Sequence, residues 1–254
     1  MKENESVTSS WWFPENLKKK ELEFRKNERI PVSSDDFGSY KIMLKSNDTK
    51  SSEIHAHNDL NPKVKISMVS SLLRQRFANI EGAKIFSVGC GLGHETKTLA
   101  AVFNSEVMGI DVSGDAIAYA QLYNSNENTR FEQKLVDSEF DLGQKYDICF
   151  CFEFYPFTRT NDRQFQEEIL DALFNNLNGK GKIVIYHLYE NEDSIKDNVE
   201  YLASKLGKKF YISRRLHPRV YNLCRNFFIT NILTFLYNML IYRKDISKRM
   251  VVFY

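Results

Sequence analysis

Short apolar runs alternate with segments of helical period along most of this chain. Residues 85–88 (IFSV), 107–110 (VMGI), 146–152 (YDICFCF) and 182–186 (KIVIY) read as strands. Residues 130–136 supply a weaker one between the second and third of these, ending at Asp137. Residues 113–124 open with a serine able to cap a helix and continue with helix formers. Over 163–177 the apolar positions Phe165, Ile169, Leu170, Leu173, Phe174 and Leu177 fall near helical period. A turn over 178–181 (NGKG) follows, and a further helix is expected over 193–206. Strands alternating with helices imply a mainly parallel sheet covered on both faces. Residues 209–213 and 249–254 are also strand-like, but a long apolar segment separates them.

The first run stops at Gly89-Cys90-Gly91-Leu92-Gly93, and the second ends at a lone acid, Asp111. Glycines let the backbone turn sharply and approach a ligand without Cβ clashes. The helix that follows presents free N–H groups to a negative group. Asp111 is placed to accept hydrogen bonds from both ribose hydroxyls of an adenosine-containing cofactor. Dinucleotide-binding folds want a third glycine where His94 stands here.

The Gly-x-Gly-x-Gly spacing instead resembles motif I of the class I S-adenosylmethionine-dependent methyltransferases, and 108–113 (MGIDVS) resembles the acidic segment that follows it. The resemblance covers roughly residues 80–254. It implies an α/β, Rossmann-like, seven-stranded, mostly parallel sheet of order 3-2-1-4-5-7-6 with helices on both faces. It also implies an N-terminal cap over 1–78, a methyltransferase domain over 79–254 and a helical insertion at about 214–247. The implied cofactor is S-adenosylmethionine, held by Gly89, Cys90, Gly91, Gly93, His94, Asp111 and Val112, with Asp137 at the adenine. Ser87 stands where the family usually carries an acid, which shifts that task to His94, Glu95 or a residue of the N-terminal segment.

Methyl transfer from a sulfonium is an in-line displacement in which positioning supplies much of the catalysis. A hydroxyl acceptor also needs a base near neutral pKa. The acceptor is expected beyond the fourth and fifth strands, beside 153–159 (EFYPFTR) and 187–190 (HLYE). His187 and Glu153 are the candidate bases. Set against this, His187 is a strand-end histidine bonded to a loop, and Glu153 pairs with Arg159. Tyr155, with Phe154 and Phe157, offers an aromatic wall or ordinary packing under the next helix. Arg159 offers its planar fork to an acidic acceptor, or pairs with Asp162. His55, His57 and Asp59 fit no helical ligand spacing, so no metal is expected. Trp11-Trp12-Phe13-Pro14 is either a lid or a packed cluster.

Charge narrows the partners. Lys+Arg 35 against Asp+Glu 33 gives a net charge of +2, without the basic bias of wholesale nucleic-acid binders. The start MKENESVTSS has no apolar core of a secretory signal, and Cys90, Cys149, Cys151 and Cys224 show no disulfide or metal spacing. A cytoplasmic protein is the natural expectation. Residues 226–242 (NFFITNILTFLYNMLIY) carry no charge yet fall short of the roughly 20 residues that span a bilayer. They fit a roof over the acceptor, a homodimer interface or a helix lying in a membrane surface. The resulting expectation is a methyltransferase acting on an oxygen of a small molecule, sugar or lipid-linked glycan. An RNA methyltransferase and a non-catalytic cofactor-binding scaffold are the rival readings.

Overall fold

The structure, a computed structural model, describes residues 62–77, 80–157, 162–186, 192–214, 218–240 and 249–254. In chain order these form α1 (Pro62–Arg76), β1 (Ile85–Val88), α2 (His94–Phe103), β2 (Val107–Asp111), α3 (Gly114–Tyr123), β3 (Thr129–Gln133) and β4 (Tyr146–Phe152). There follow α4 (Arg163–Phe174), β5 (Leu177–Tyr186), α5 (Glu192–Leu206), β6 (Phe210–Ile212), α6 (Pro218–Cys224), α7 (Phe227–Leu240) and β7 (Met250–Phe253). The seven strands make one sheet of order β3-β2-β1-β4-β5-β7-β6. β1 to β5 run parallel, and β7 lies antiparallel between β5 and β6. This is the expected order.

The inner strands are predominantly apolar because they bury side chains on both faces. Along β4, Ile148, Phe150 and Phe152 join one core while Cys149 and Cys151 join the other. β7 divides in the same way, Met250 and Val252 against Val251 and Phe253. The first core, on the α4 and α5 side, is filled by Leu170, Leu173, Val199 and Leu202. The second holds Ile66, Val69 and Leu73 of α1 with Leu99 and Phe103 of α2. The two thiols do share one face, 3.8 Å apart between sulfurs. Burial pushes the Cys149 thiol well up, so it behaves as a small hydrophobe.

Two boundaries differ from the sequence expectation. β5 begins at Leu177, so the glycine-rich stretch expected as a turn runs inside the strand. Its pairing with β4 is irregular between Tyr146 and Ile148, and a Cβ on Gly181 would lie 2.6 Å from Leu177 Cβ. Glycine there admits the local bend rather than ending the strand. β3 stops at Gln133. Asp137 therefore lies in the following loop, not at a strand tip, with its carboxylate accepting from Glu139 N–H at 3.0 Å.

The apolar segment after β6 forms two helices, α6 and α7, joined through Arg225 and Asn226. Tyr221 of α6 stacks on Phe227 of α7 with ring centroids 4.8 Å apart. No helix among the described residues is long and apolar enough to cross a membrane.

Candidate active site

The carboxyl ends of β1 and β2 build a narrow cradle. Gly89, Gly91 and Gly93 all have positive φ, 64°, 51° and 82°, a path that side-chain-bearing residues resist. Gly93 meets a second demand as the cap residue of α2. A Cβ there would lie 2.7 Å from the Phe131 ring and 2.9 Å from Ala120 Cβ. Close packing of loop on neighbouring strand and helix is thus carried by Gly93, one residue before the bulky His94.

Asp111 closes the cradle. Its Oδ2 accepts from Gly91 N–H and its Oδ1 from Ser113 N–H, each at 2.9 Å, and the side chain is buried. Two main-chain donors fix its orientation. Ser113 also caps α3, its hydroxyl accepting from Ala116 N–H at 3.3 Å. Val112 offers its carbonyl to the Gln133 amide at 3.0 Å, which ties the far wall to β3.

Cys90 and His94 face away from the strand ends. The Cys90 thiol is buried with Ile117, Ala120 and Phe131, and its own N–H donates to Ile110 O at 3.0 Å. Burial, then Asp111, pushes this thiol well above the ordinary cysteine value. The His94 ring turns onto α3, edge-on to Tyr119 with Nδ1 3.5 Å from Asn124 Nδ2. That amide nitrogen also donates to Leu92 O at 2.7 Å, which fixes the amide's orientation and makes His94 Nδ1 the acceptor. Burial holds the imidazole below its usual pKa.

The loop after β4 meets the cradle directly. Phe154 lies against the glycine loop, so that a Cβ on Gly89 would sit 2.7 Å from Phe154 Cδ2. Just before it, Glu153 has φ 51° and donates its N–H to Tyr186 O, the last residue of β5, at 3.2 Å. A glutamate held in the left-handed region at the junction of two strand ends is a strained placement, of a kind that clusters at functional sites. The Tyr155–Pro156 bond is cis. Tyr155 packs on Phe165 of α4 at 5.9 Å, and Phe157 is fully buried. Of the three aromatics, Phe154 is the one set against the cradle. His187 and Arg159 lie outside the described residues, as do His55, His57, Asp59 and the Trp11 cluster.

A family described as Methyltransferase domain matches residues 80–227, the span that holds the glycine loop, Asp111 and the strand ends above. The chain belongs to that family. It carries the class I, Rossmann-like fold of S-adenosylmethionine-dependent methyltransferases. Residues amounting to 41% of the chain are 32% identical to a ubiquinone biosynthesis O-methyltransferase of Hydrogenovibrio crunogenus, over 42% of that protein. Another 24% identity links 58% of the chain to 56% of a malonyl-[acyl-carrier protein] O-methyltransferase of Bacillus cereus. The aligned stretches thus span about half of each curated relative. Among solved structures, the plantazolicin methyltransferase BpumL in complex with a pentazolic desmethylPZN analogue and SAH superposes with a TM-score of 0.56. It does so at 14% identity, over 94% of this chain and 98% of that one.

One feature just before the matched domain escapes its motifs. Lys65 of α1 is buried and pairs with Glu95, in the first turn of α2 beside the glycine loop. Its ammonium also lies 5.7 Å from the Phe152 ring centroid and 5.8 Å from that of Tyr186, the last residues of β4 and β5. A cation enclosed by a carboxylate and two ring faces is a favourable placement for a buried charge. It locks the helix before the sheet to the edge where the cofactor loop and acceptor loops converge.

Proposed function

We propose that the protein transfers a methyl group from S-adenosylmethionine to a hydroxyl or carboxyl oxygen of a small-molecule acceptor. The observation that carries this reading is the meeting of Glu153, Phe154 and the glycine loop at the ends of β1, β4 and β5. The names of the two curated relatives, both O-methyltransferases, support the choice of oxygen. Bound S-adenosylmethionine supplies an electrophilic methyl on a sulfonium. In this reading Gly89, Gly91 and Gly93 shape the cradle, Asp111 accepts from the ribose hydroxyls, and Asp137 faces the adenine. Val112 lines the far wall, while Cys90 and His94 hold the loop's shape from beneath. Phe154 excludes water beside the reacting atoms. Glu153 takes the acceptor's proton or orients its hydroxyl, with His187 as the second base on the adjoining loop. Tyr155 and Arg159 border the acceptor, which in one version is a sugar or glycan carried on a lipid.

The cofactor half is tested by calorimetric titration with S-adenosylmethionine and S-adenosylhomocysteine, with NAD as control. Binding of the first two and not the third is expected, and Asp111→Ala should weaken it at least tenfold, about 1.4 kcal/mol for a lost charged hydrogen-bond acceptor. Absence of binding in a folded sample removes the enzyme reading. The acceptor half is tested with radiolabelled methyl donor and a panel of phenols, carboxylic acids and glycosides. Glu153→Gln is expected to lower kcat by about 10²–10⁴ and to alter the pH profile. Full activity in both Glu153→Gln and His187→Ala would show that neither is the base.

A further inference from the structure

Helix α7 is turned inside out for a protein surrounded by water. Phe228, Ile232 and Phe235 form one stripe at helical spacing, with Ile229, Leu233 and Leu236 beside it. All six are exposed, Phe228 at 67% and Phe235 at 66%. On α6, two residues before the joint, Leu223 is exposed at 83%. One polar residue of the helix faces inward instead. Thr230 is fully buried, donating its hydroxyl to Asn226 O at 2.7 Å with Cys224 Sγ 3.1 Å away. A surface helix ordinarily does the reverse, and a contiguous apolar face of this size marks a binding surface.

Charge indicates what binds there. Between 214 and 249 the sequence has Lys or Arg at eight positions and one acid, Asp245. That is a local net charge of +7 in a chain that totals +2. Arg225 sits at the amino end of α7 and is exposed, and Arg243 and Lys244 follow the helix in sequence. The 14 residues of α7 contain no charged side chain. A second copy would bring two segments of the same +7 charge together. A bilayer with anionic headgroups satisfies both features, taking the apolar stripe among its acyl chains and drawing Arg225 and a segment of net positive charge to its phosphates.

We infer that α7, with Leu223 and the exposed Arg225 at its amino end, is a monotopic docking surface for an anionic membrane. The helix lies in the plane of the interface and does not cross it. The inference is independent of the acceptor's identity and stands or falls separately from it.

Co-sedimentation of the full chain with phosphatidylcholine vesicles, with and without phosphatidylglycerol, tests it. Binding to the anionic vesicles is expected, weakened in high salt and on the neutral ones. Phe228→Ser/Phe235→Ser should abolish it, and Arg225→Gln should weaken it several-fold. Calorimetric titration with S-adenosylhomocysteine and thermal unfolding show whether these exposed-site variants keep their fold. No binding by the parent chain, or equal binding by the double variant, overturns the inference. So does a dimer in analytical ultracentrifugation that the double variant dissociates, since the face then belongs between two copies.

Discussion

Glu153 combines strain and chemistry in one residue. Its φ of 51° costs a side-chain-bearing residue roughly 1 kcal/mol that glycine would not incur. Glu153→Gly is therefore expected to raise unfolding stability by about 0.5–1 kcal/mol while lowering methyl transfer. Denaturant melts paired with a transfer assay check this, and a variant that is both less stable and fully active would sink it. His94 gives a pH-dependent counterpart. Burial lowers its pKa, Lys97 adds to the depression and Glu95 opposes it. The folded protein thus binds fewer protons than the unfolded chain once pH drops below the usual histidine value of about 6.5. Stability is lost as pH falls through that value and levels off below the depressed one. His94→Gln should flatten this part of the stability–pH curve, and parallel curves would show that His94 is not responsible.

At the scale of elements, the glycine loop and the first turn of α2 act as one unit. Gly93 takes the left-handed cap and lets Phe131 and Ala120 approach, so Gly93→Ala meets both backbone strain and overlap. A loss of about 2 kcal/mol or more is expected in denaturant unfolding, and a loss under half of that would mean the Phe131 ring gives way freely. Strands β1 and β4 were legible in the sequence to the residue because both faces are buried and each is almost wholly apolar, with Ser87 and Asp147 the exceptions. The start of β5 was not, because Asn178-Gly179-Lys180-Gly181 has turn composition, and the strand begins ahead of it only where Leu177 pairs with Tyr146. The glycine loop and Asp111 were legible because their chemistry is local. Lys65 was not, since a lysine on a helix normally points to water, and its burial depends on Glu95, Phe152 and Tyr186 arriving from three other elements.

Across the whole molecule, the single sheet separates two cores that meet only through the strands, and the cradle sits where both end. A cofactor bound there braces β1, β2 and the loop from β4 together. At about a hundred times its dissociation constant it should add about 2.7 kcal/mol to stability, or roughly 5–10 °C in Tm for a chain of this length. Differential scanning with and without S-adenosylhomocysteine reads this, and an unchanged Tm at high ligand would mean that the folded chain does not bind it. The outward apolar face of α7 was half legible. The uncharged run was plain in the sequence, but which side of it turned inward depends on Thr230 finding its partners beside α6.

The antiparallel edge has a consequence for biosynthesis. β7 is the last strand in the chain, yet it lies between β5 and β6 and pairs with both. As the chain leaves the ribosome, the open edge of β5 has no partner until residues 250–253 emerge, 64 positions after Tyr186. At about 5–20 residues per second, that edge stands exposed for several seconds. The uncharged residues of α7 appear during the same interval. The nascent chain is therefore most vulnerable to wrong pairing when its most apolar segment is newly exposed, and an early encounter of that segment with a lipid surface would remove one of the two hazards.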